Sequence, residues 1–92
     1  MSKITLSGHI EVPKEDLNAV LTELPNHIAL THQEAGCITF TVTRDSDNPQ
    51  HFDVYEEFTD KVAFERHQAR VKASHWGEVT KNVERFYTVK EE

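Results

Sequence analysis

The amino-acid sequence predicts an α+β fold in which a four-stranded antiparallel sheet packs against two helices. Four segments alternate apolar and polar residues with the period of a β-strand, and two longer segments repeat apolar residues every three or four positions, as amphipathic helices do. The segments follow one another in the order β-α-β-β-α-β. Two β-α-β halves that share a central hairpin, with right-handed crossovers, give the ferredoxin-like topology, which places both helices on one face of the sheet.

The N-terminal third is predicted to form one strand and one helix. Residues 3–12 alternate as a strand, and Gly8 takes an inward position where it could mark a bulge or leave space. Pro13 is expected to open the helix, because its missing N–H costs nothing at the first helical position. Pro25 predicts a kink or a break in that helix, and Gly36 is expected to end it in the left-handed conformation.

The middle of the chain is predicted to form a β-hairpin. Its strands cover residues 37–44 and 51–59, and the connection contains the run D-S-D-N-P, a composition typical of turns. Strict alternation is expected to place Ile38 on the same face as Phe40. Cys37 would then lie on the other face, as a small buried residue.

The C-terminal third is predicted to form a second helix and the last strand. The helix covers residues 60–73 with Asp60 as its N-terminal cap, Ser74 caps a further short turn, and the strand covers residues 82–89. The helix-free face of the sheet still carries threonine and aromatic residues, and a four-stranded sheet has open edges. We therefore expect that face to pack against a second copy of the chain.

Composition limits the classes of function. Ninety-two residues make one domain with a thin core, to which association with a second copy would add burial. Lysine and arginine number 10 against 16 acidic residues, a net charge of −6, which argues against nucleic acid and anionic membrane as partners. A single cysteine, no signal-peptide core and no apolar run of membrane-spanning length fit a cytoplasmic protein.

Two ionisable side chains are expected on the same faces as the hydrophobic residues of their elements. Glu56 shares its strand face with Phe52, Val54 and Phe58, and His67 lies in the apolar stripe of the second helix. An unpaired buried charge is costly, so such groups must pair, shift their pKa values or face a cavity. Two interpretations stay open: a hydrogen bond between these side chains in a closed core, or a ligand pocket with His67 as acid or base and Glu56 orienting it.

Five more residues are candidates for binding a substrate, and each has a structural alternative. Trp76 could stack on a flat ring or simply pack in the core. Arg85 could hold an anionic oxygen or form a salt bridge across the sheet. Tyr55 and Tyr87 could donate to a substrate oxygen or bond within an interface. Asn82 could donate an amide proton or face solvent at the start of a strand.

The sequence predicts no metal site and no nucleotide cofactor. It contains no H-x-x-x-H, no Cys/His cluster, no G-x-G-x-x-G and no P-loop. Four further histidines fall on polar faces or in turns and are expected to be exposed: His9, His27, His32 and His51.

An ordered set of residues runs through the hairpin and the second helix. The stretch E-A-G-C-I-T-F-T-V-T-R-D-S-D-N-P-Q-H-F-D-V-Y-E-E-F-T-D and the later A-F-E-R-H resemble the antibiotic biosynthesis monooxygenase (ABM) family, with its pattern PGC…F…D…NP…F…YE…D…A…H. The matching positions are Gly36-Cys37, Phe40, Asp45, Asn48-Pro49, Phe52, Tyr55-Glu56, Asp60, Ala63 and His67. Ala35 stands where the family commonly has proline, which affects only the turn.

The resemblance implies one ABM-like domain over residues 1–92 and a homodimeric α+β barrel built from two face-to-face sheets. It also implies a monooxygenase that oxidises a quinol or polycyclic phenol with O2 and needs no cofactor. The partners would be a small aromatic substrate and O2. Related barrels imply two alternatives, a non-catalytic small-ligand-binding or stress-response dimer and a protein that binds or degrades haem, for which His75 lies in the region of the axial histidine.

Overall fold

The computed structural model describes residues 3–92, which form a four-stranded antiparallel sheet with helices on one face. The elements in chain order are β1 (Ile4–Glu11), α1 (Leu17–His32), β2 (Cys37–Arg44), β3 (His51–Phe58), α2 (Lys61–Ala73), α3 (His75–Val79) and β4 (Glu84–Glu91). The strands lie in the order β2-β3-β1-β4, and every neighbouring pair is antiparallel. This arrangement confirms the predicted ferredoxin-like topology.

The buried core lies between the helices and one face of the sheet. Alternate residues of β1 and β3 point into it, as the period of a strand requires. The sheet contributes Ile4, Leu6, Ile10, Phe40, Phe52, Val54 and Phe58, and the helices contribute Val20 and Trp76. Glu56 follows the same alternation, so β3 carries its carboxyl group into this apolar layer.

The first helix differs from the prediction at its start and in its middle. A single 3₁₀ turn, Lys14–Asp16, follows Pro13, and α1 begins only at Leu17. Pro25 lies inside α1, which continues past it to His32, so of the predicted kink or break the break does not occur. Most helix stability in proteins comes from packing of the buried face, which here extends on both sides of the proline.

Two glycines mark places where neighbouring elements approach closely. Gly8 has φ +154°, which other residues rarely adopt, and a Cβ there would collide with the carbonyl oxygen of Phe86. The pairing of β1 continues in register through Gly8, so this glycine leaves space and forms no bulge. Gly36 is not left-handed as predicted, because α1 already ends at His32. A Cβ at Gly36 would collide with Ala63, so this glycine lets α2 pack closely.

The irregularity of the sheet lies at the start of β2. The pairing register shifts between Cys37 and Thr39, and the intervening Ile38 is 50% exposed. Cys37 is opposite Phe58 and only half-buried. The sheet faces predicted for Cys37 and Ile38 are therefore wrong. One extra residue in a strand moves the side chains before it to the opposite face of the sheet from the one that strict alternation predicts.

Three predicted capping and turn signals are confirmed. In the hairpin turn, the Asp45 carboxylate accepts two backbone N–H groups at 2.9 and 2.7 Å. Asp60 caps α2 by accepting the backbone N–H of Ala63 at 2.8 Å, and Ser74 caps α3 by accepting that of Gly77 at 3.2 Å. No helix within residues 3–92 is both long enough and apolar enough to cross a membrane.

Candidate functional site

A cavity of about 550 Å³ lies between the helices and the sheet. Its wall is built from all four strands and all three α-helices. Five of the seven sequence-predicted site residues line it: Glu56, His67, Trp76, Arg85 and Tyr87. Every residue of β4 is exposed, although Arg85 and Tyr87 pair with Ile10 and Gly8 and so point to the helix side. The cavity therefore opens to solvent along β4.

His67 is held in place by a loop residue outside the cavity. Its side chain is 2% exposed, and its Nδ1 lies 3.0 Å from Oε2 of Glu34 in the loop after α1. Arg70 donates to the same oxygen through Nε at 2.6 Å and to Thr31 Oγ1 at 2.9 Å. A carboxylate only accepts hydrogen bonds, so Nδ1 of a neutral His67 carries the proton and Nε2 presents a lone pair on the other side of the ring.

His67 and Glu56 are neighbours without being hydrogen-bonded to each other. Nε2 of His67 lies 3.7 Å from Oε1 of Glu56, which is too long for a hydrogen bond. Oε1 has no hydrogen-bond partner within the part of the chain that the structure describes. The bond of the closed-core interpretation is thus not formed, and both side chains lie on the cavity wall.

Burial controls the charge of both groups. Desolvation, and after it the negative charge of Glu34, raises the pKa of Glu56 to about 7. Desolvation also lowers the pKa of His67, although the hydrogen bond and charge of Glu34 act in the opposite direction. Near neutral pH, Glu56 is close to half protonated while His67 is neutral. One group can therefore give a proton and the other can take one.

His27 lines the cavity, so the prediction that it is exposed is wrong. It is 3% exposed and stacks on Trp76, with ring centroids 4.5 Å apart and planes 3° from parallel. Desolvation, and then the nearby Arg70 and His67, lowers the pKa of His27 to about 3, so the ring is neutral. Its Nδ1 finds no hydrogen-bond partner among residues 3–92.

Two residues of the site were missed from sequence, and only one of them carried a signal. His27 follows Val20 and Leu24 and precedes Thr31 at the three-to-four spacing of the buried stripe of α1, a period that predicts a buried side chain. Glu34 lies in a loop and has no such pattern. Its role depends on the packing of α2 against that loop, which a sequence period does not report.

The remaining predicted cavity residues are placed as follows. Trp76 is 7% exposed and forms one wall together with His27. Arg85 lies at the opening and donates to Oγ1 of Thr80 at 2.9 Å. It forms no ion pair with any residue from 3 to 92, so the predicted alternative of a salt bridge is not found. Desolvation raises the pKa of Tyr87 to about 12, so its hydroxyl stays protonated and can donate.

Three residues considered from sequence lie away from the cavity. Tyr55 points to the opposite face of β3, where its hydroxyl donates to Glu57. Asn82 lies at the surface, with Nδ2 3.4 Å from a carboxylate oxygen of Asp16. His75 is exposed on α3 and does not line the cavity.

The fold and the cavity define the class of this protein: a ferredoxin-like α+β domain with a buried acid and a neutral histidine on the wall of a cavity between helices and sheet. The model of the antibiotic biosynthesis monooxygenase family matches residues 3–79. Because the match covers most of the chain, the protein belongs to that family. The last strand, which carries Arg85 and Tyr87, lies beyond the matched residues. A comparison with curated proteins finds no match.

Solved structures share this fold over nearly their whole length. A conserved protein of unknown function from Bacteroides thetaiotaomicron is 18% identical, with a TM-score of 0.82 over 99% of this chain and 98% of its own. Protein PA3566 of Pseudomonas aeruginosa is 22% identical, with a TM-score of 0.78 over 100% and 93%. A structure named antibiotic biosynthesis monooxygenase is 22% identical, with a TM-score of 0.76 over 100% and 96%. At these identities the likeness shows the fold alone.

Glu56→Gln tests the buried acid through the pH dependence of stability. The pKa of Glu56 rises from 4.5 to about 7 on folding, so the folded protein binds more protons between these values. This contribution to stability is complete below pH 4.5 and is lost as the pH rises through 7. It amounts to about 3 kcal/mol, since one pKa unit is worth about 1.36 kcal/mol.

Urea denaturation between pH 4.5 and 8 is the measurement. The free energy of unfolding of the wild type should fall with pH relative to that of Glu56→Gln. Glu57→Gln, on the opposite face of β3, is the matched control, and its free energy of unfolding should decrease with pH as that of the wild type does. Parallel curves for the wild type and Glu56→Gln would contradict the assignment of Glu56 as a buried acid.

Proposed function

We propose that residues 1–92 form a single ABM domain that acts as a cofactor-independent monooxygenase, oxidising a quinol or polycyclic phenol with O2. The observation that carries this proposal is the position of Glu56 and His67, both buried, on the wall of a cavity of about 550 Å³. Ionisable groups with perturbed pKa values in a partly apolar cavity are typical of catalytic sites. The proposed location is the cytoplasm, which suits a chain with one cysteine.

A flat aromatic ring with one or two hydroxyl groups matches the chemistry of the cavity. Trp76, Val54 and Val71 offer apolar surface to the ring. Two buried polar atoms, Oε1 of Glu56 and Nδ1 of His27, lack hydrogen-bond partners among the described residues. A buried polar atom left unpaired is costly, so a substrate hydroxyl that bonds to either atom gains binding free energy.

The proposed reaction takes its electrons from the substrate. Loss of the hydroxyl proton gives a phenolate, which transfers one electron to O2, and the phenoxyl radical and superoxide combine to form a C–O bond. Protonation then gives a hydroperoxide. Cleavage of its O–O bond, with loss of the proton on the same ring carbon, releases water and leaves a quinone. One oxygen atom of O2 enters the product and the other becomes water, so no external reductant is consumed.

His67 and Glu56 supply the base and the acid of this reaction. Neutral His67, whose Nδ1–H is held by Glu34, takes the hydroxyl proton at Nε2. Protonated Glu56, whose Oε1 lies 3.7 Å from that nitrogen, gives a proton to the peroxide. Glu34 and Arg70 do not line the cavity, so they act as positioning residues that fix the tautomer and orientation of His67.

Positive charge near the opening favours the anions of this reaction. Lys72, Lys81 and Arg85 line the cavity and are exposed, in a chain whose net charge is −6. The phenolate and superoxide are both negatively charged, and both are stabilised by cations in a partly enclosed site. The Tyr87 hydroxyl adds a neutral hydrogen-bond donor.

A non-catalytic small-ligand-binding dimer is the second candidate. The observation that favours it is the network of His67, Glu34, Arg70 and Thr31, in which each side chain is bonded without any substrate. Haem binding is not favoured, because His75 is exposed and lies away from the cavity lining. The two candidates differ in whether a bound ring compound leads to oxygen consumption.

Oxygen uptake with a panel of naphthols and hydroquinones tests the proposed activity. We expect the wild type to accelerate O2 consumption above that of buffer. His67→Ala should lower kcat roughly a hundredfold, a usual contribution of one acid–base residue. Trp76→Ala should mainly raise KM, because it removes a stacking surface. His75→Ala, which replaces an exposed histidine outside the cavity, is the matched control and should keep full activity.

Equal uptake by the wild type, His67→Ala and Trp76→Ala would remove both residues from the mechanism. Trp76 is the single tryptophan, so quenching of its fluorescence reports ligand binding independently of turnover. Saturable quenching by the same compounds without any oxygen uptake would establish the non-catalytic function instead.

We also propose that the protein is a homodimer in which two sheets pack face to face as an α+β barrel. The helix-free face carries the aromatic side chains of Phe86 and Tyr55, which are 48% and 38% exposed. The last strand is exposed along its whole length. A second sheet on this face would bury these aromatic groups and cover the open strand.

Sedimentation velocity on Phe86→Asp tests this interface. We expect a dimer for the wild type and a shift toward monomer for the variant, because a buried aromatic contact is replaced by a charge. Val62→Asp on α2 is the matched control, since Val62 is 54% exposed and lies on a helix. A monomeric wild type, or an unchanged dimer for Phe86→Asp, would refute the proposal.

A further inference from the structure

The helix-free face of the sheet carries four side chains with metal-ligating groups in a square. His9 and Glu11 are alternate residues of β1, and His51 and Asp53 are alternate residues of β3. The antiparallel register places Glu11 opposite His51 and His9 opposite Asp53. All four side chains therefore project from the same face of two paired strands, away from the cavity.

The Glu11 carboxylate lies between the two imidazole rings. Its Oε2 is 2.7 Å from Nδ1 of His51 and 3.5 Å from Nε2 of His9. The two rings are stacked with centroids 4.4 Å apart, and Phe86 stacks on His9 at 4.7 Å. One ligand atom from each of His9, Glu11 and His51 lies within 4.8 Å of the other two.

Asp53 bonds the ring of His51 on the side away from Glu11. The Nε2 of His51 lies 2.9 Å from Oδ1 of Asp53 and donates to it. A metal-bound histidine commonly donates its other ring N–H to a carboxylate, which fixes its tautomer and orientation. Here that bond directs Nδ1 of His51 toward the space shared with Glu11 and His9.

We propose that His9, His51 and Glu11 bind a divalent transition-metal ion of the Zn²⁺ class, with Asp53 orienting His51. Two imidazoles and a carboxylate are ligands that such ions accept, and they leave a fourth position open. Bonds of about 2.1 Å at tetrahedral angles place ligand atoms about 3.4 Å apart. The 3.5 Å spacing between His9 and Glu11 already matches this value, and all three ligand atoms lie within 4.8 Å of one another. The 2.7 Å hydrogen bond between Nδ1 of His51 and Glu11 has to lengthen to about the same value, because the metal ion replaces its proton.

The sheet and the local charge both favour metal binding at this square. The register of two paired strands fixes the spacing of the Cα atoms, and stacking of His9 on His51 and Phe86 restrains the two rings, so less conformational freedom is lost on binding. The square holds two carboxylates, in a chain of net charge −6, and a divalent cation supplies positive charge to it. The sequence prediction of no metal site rested on local spacing, whereas His9 and His51 meet only through strand register.

This site is separate from the candidate active site. Its side chains leave the sheet on the face opposite to Glu56 and Val54, which line the cavity. The metal proposal therefore stands or falls independently of the monooxygenase proposal. The square lies on the face proposed to meet a second sheet, so binding is measured on the full chain in the assembly that it forms in solution.

Titration of untagged, metal-free protein with Co²⁺, followed by competition with Zn²⁺, tests the site. We expect visible absorption bands that saturate at one Co²⁺ per chain and disappear when Zn²⁺ is added. His9→Ala, His51→Ala and Glu11→Gln should each weaken Zn²⁺ binding, measured by calorimetry, about tenfold or more. Asp53→Asn should weaken it about tenfold to a hundredfold through the orientation of His51.

His75→Ala removes an exposed histidine of α3 and should bind metal as the wild type does. Circular dichroism checks that each variant is folded, and His9→Gln and His51→Gln, which keep more bulk, replace any alanine variant that is not. A wild type that binds no Zn²⁺ would overturn the proposal, as would histidine variants that bind it equally well. The square would then be an ion-pair network around His51.

Discussion

The Glu56 carboxyl is buried, and its Oε1 has no hydrogen-bond partner from residue 3 onward, which constrains the whole interior. Alternation along β3 turns this side chain toward the helices together with Val54 and Phe58, and the residue is 5% exposed. An ionised carboxylate in that position would cost several kcal/mol, so the group keeps its proton up to about pH 7. A solidly packed core would leave it unpaired, whereas a cavity admits water or a ligand hydroxyl.

The hydrogen bond to Glu34 explains why His67, which lies beside the Glu56 carboxyl, does not form a hydrogen bond with it. By accepting from Nδ1 of His67 and from Arg70, Glu34 takes the orienting role that the sequence suggested for Glu56. The paired charges of Glu34 and Arg70 thus lie outside the cavity, while a neutral imidazole and a protonatable acid line it. His27, kept neutral by burial, adds a polar group to the same wall without adding charge.

The sequence predicted most of the fold because alternation, helical periodicity and caps such as Asp60 are local signals. Strand alternation places Glu56, Arg85 and Tyr87 on the cavity wall, and helical periodicity places His67 there. Alternation also explains why Tyr55 does not line the cavity, because it must face away when its neighbour Glu56 faces in. Contacts between elements have no local signal. The bulge after Cys37 and the bond from Glu34 to His67 depend on how strands and helices pack together.

The titration of the Glu56 side chain tests the central claim most directly. Carboxyl carbons of labelled glutamate in the folded wild-type protein can be followed by ¹³C NMR from acid to mildly alkaline pH. We predict a midpoint near pH 7 for Glu56, and a pKa below the usual range for Glu57, whose carboxylate accepts a bond from Tyr55. A midpoint near 4.5 for Glu56 would show a carboxyl that is hydrated or paired in the folded state, and would contradict the account of the cavity.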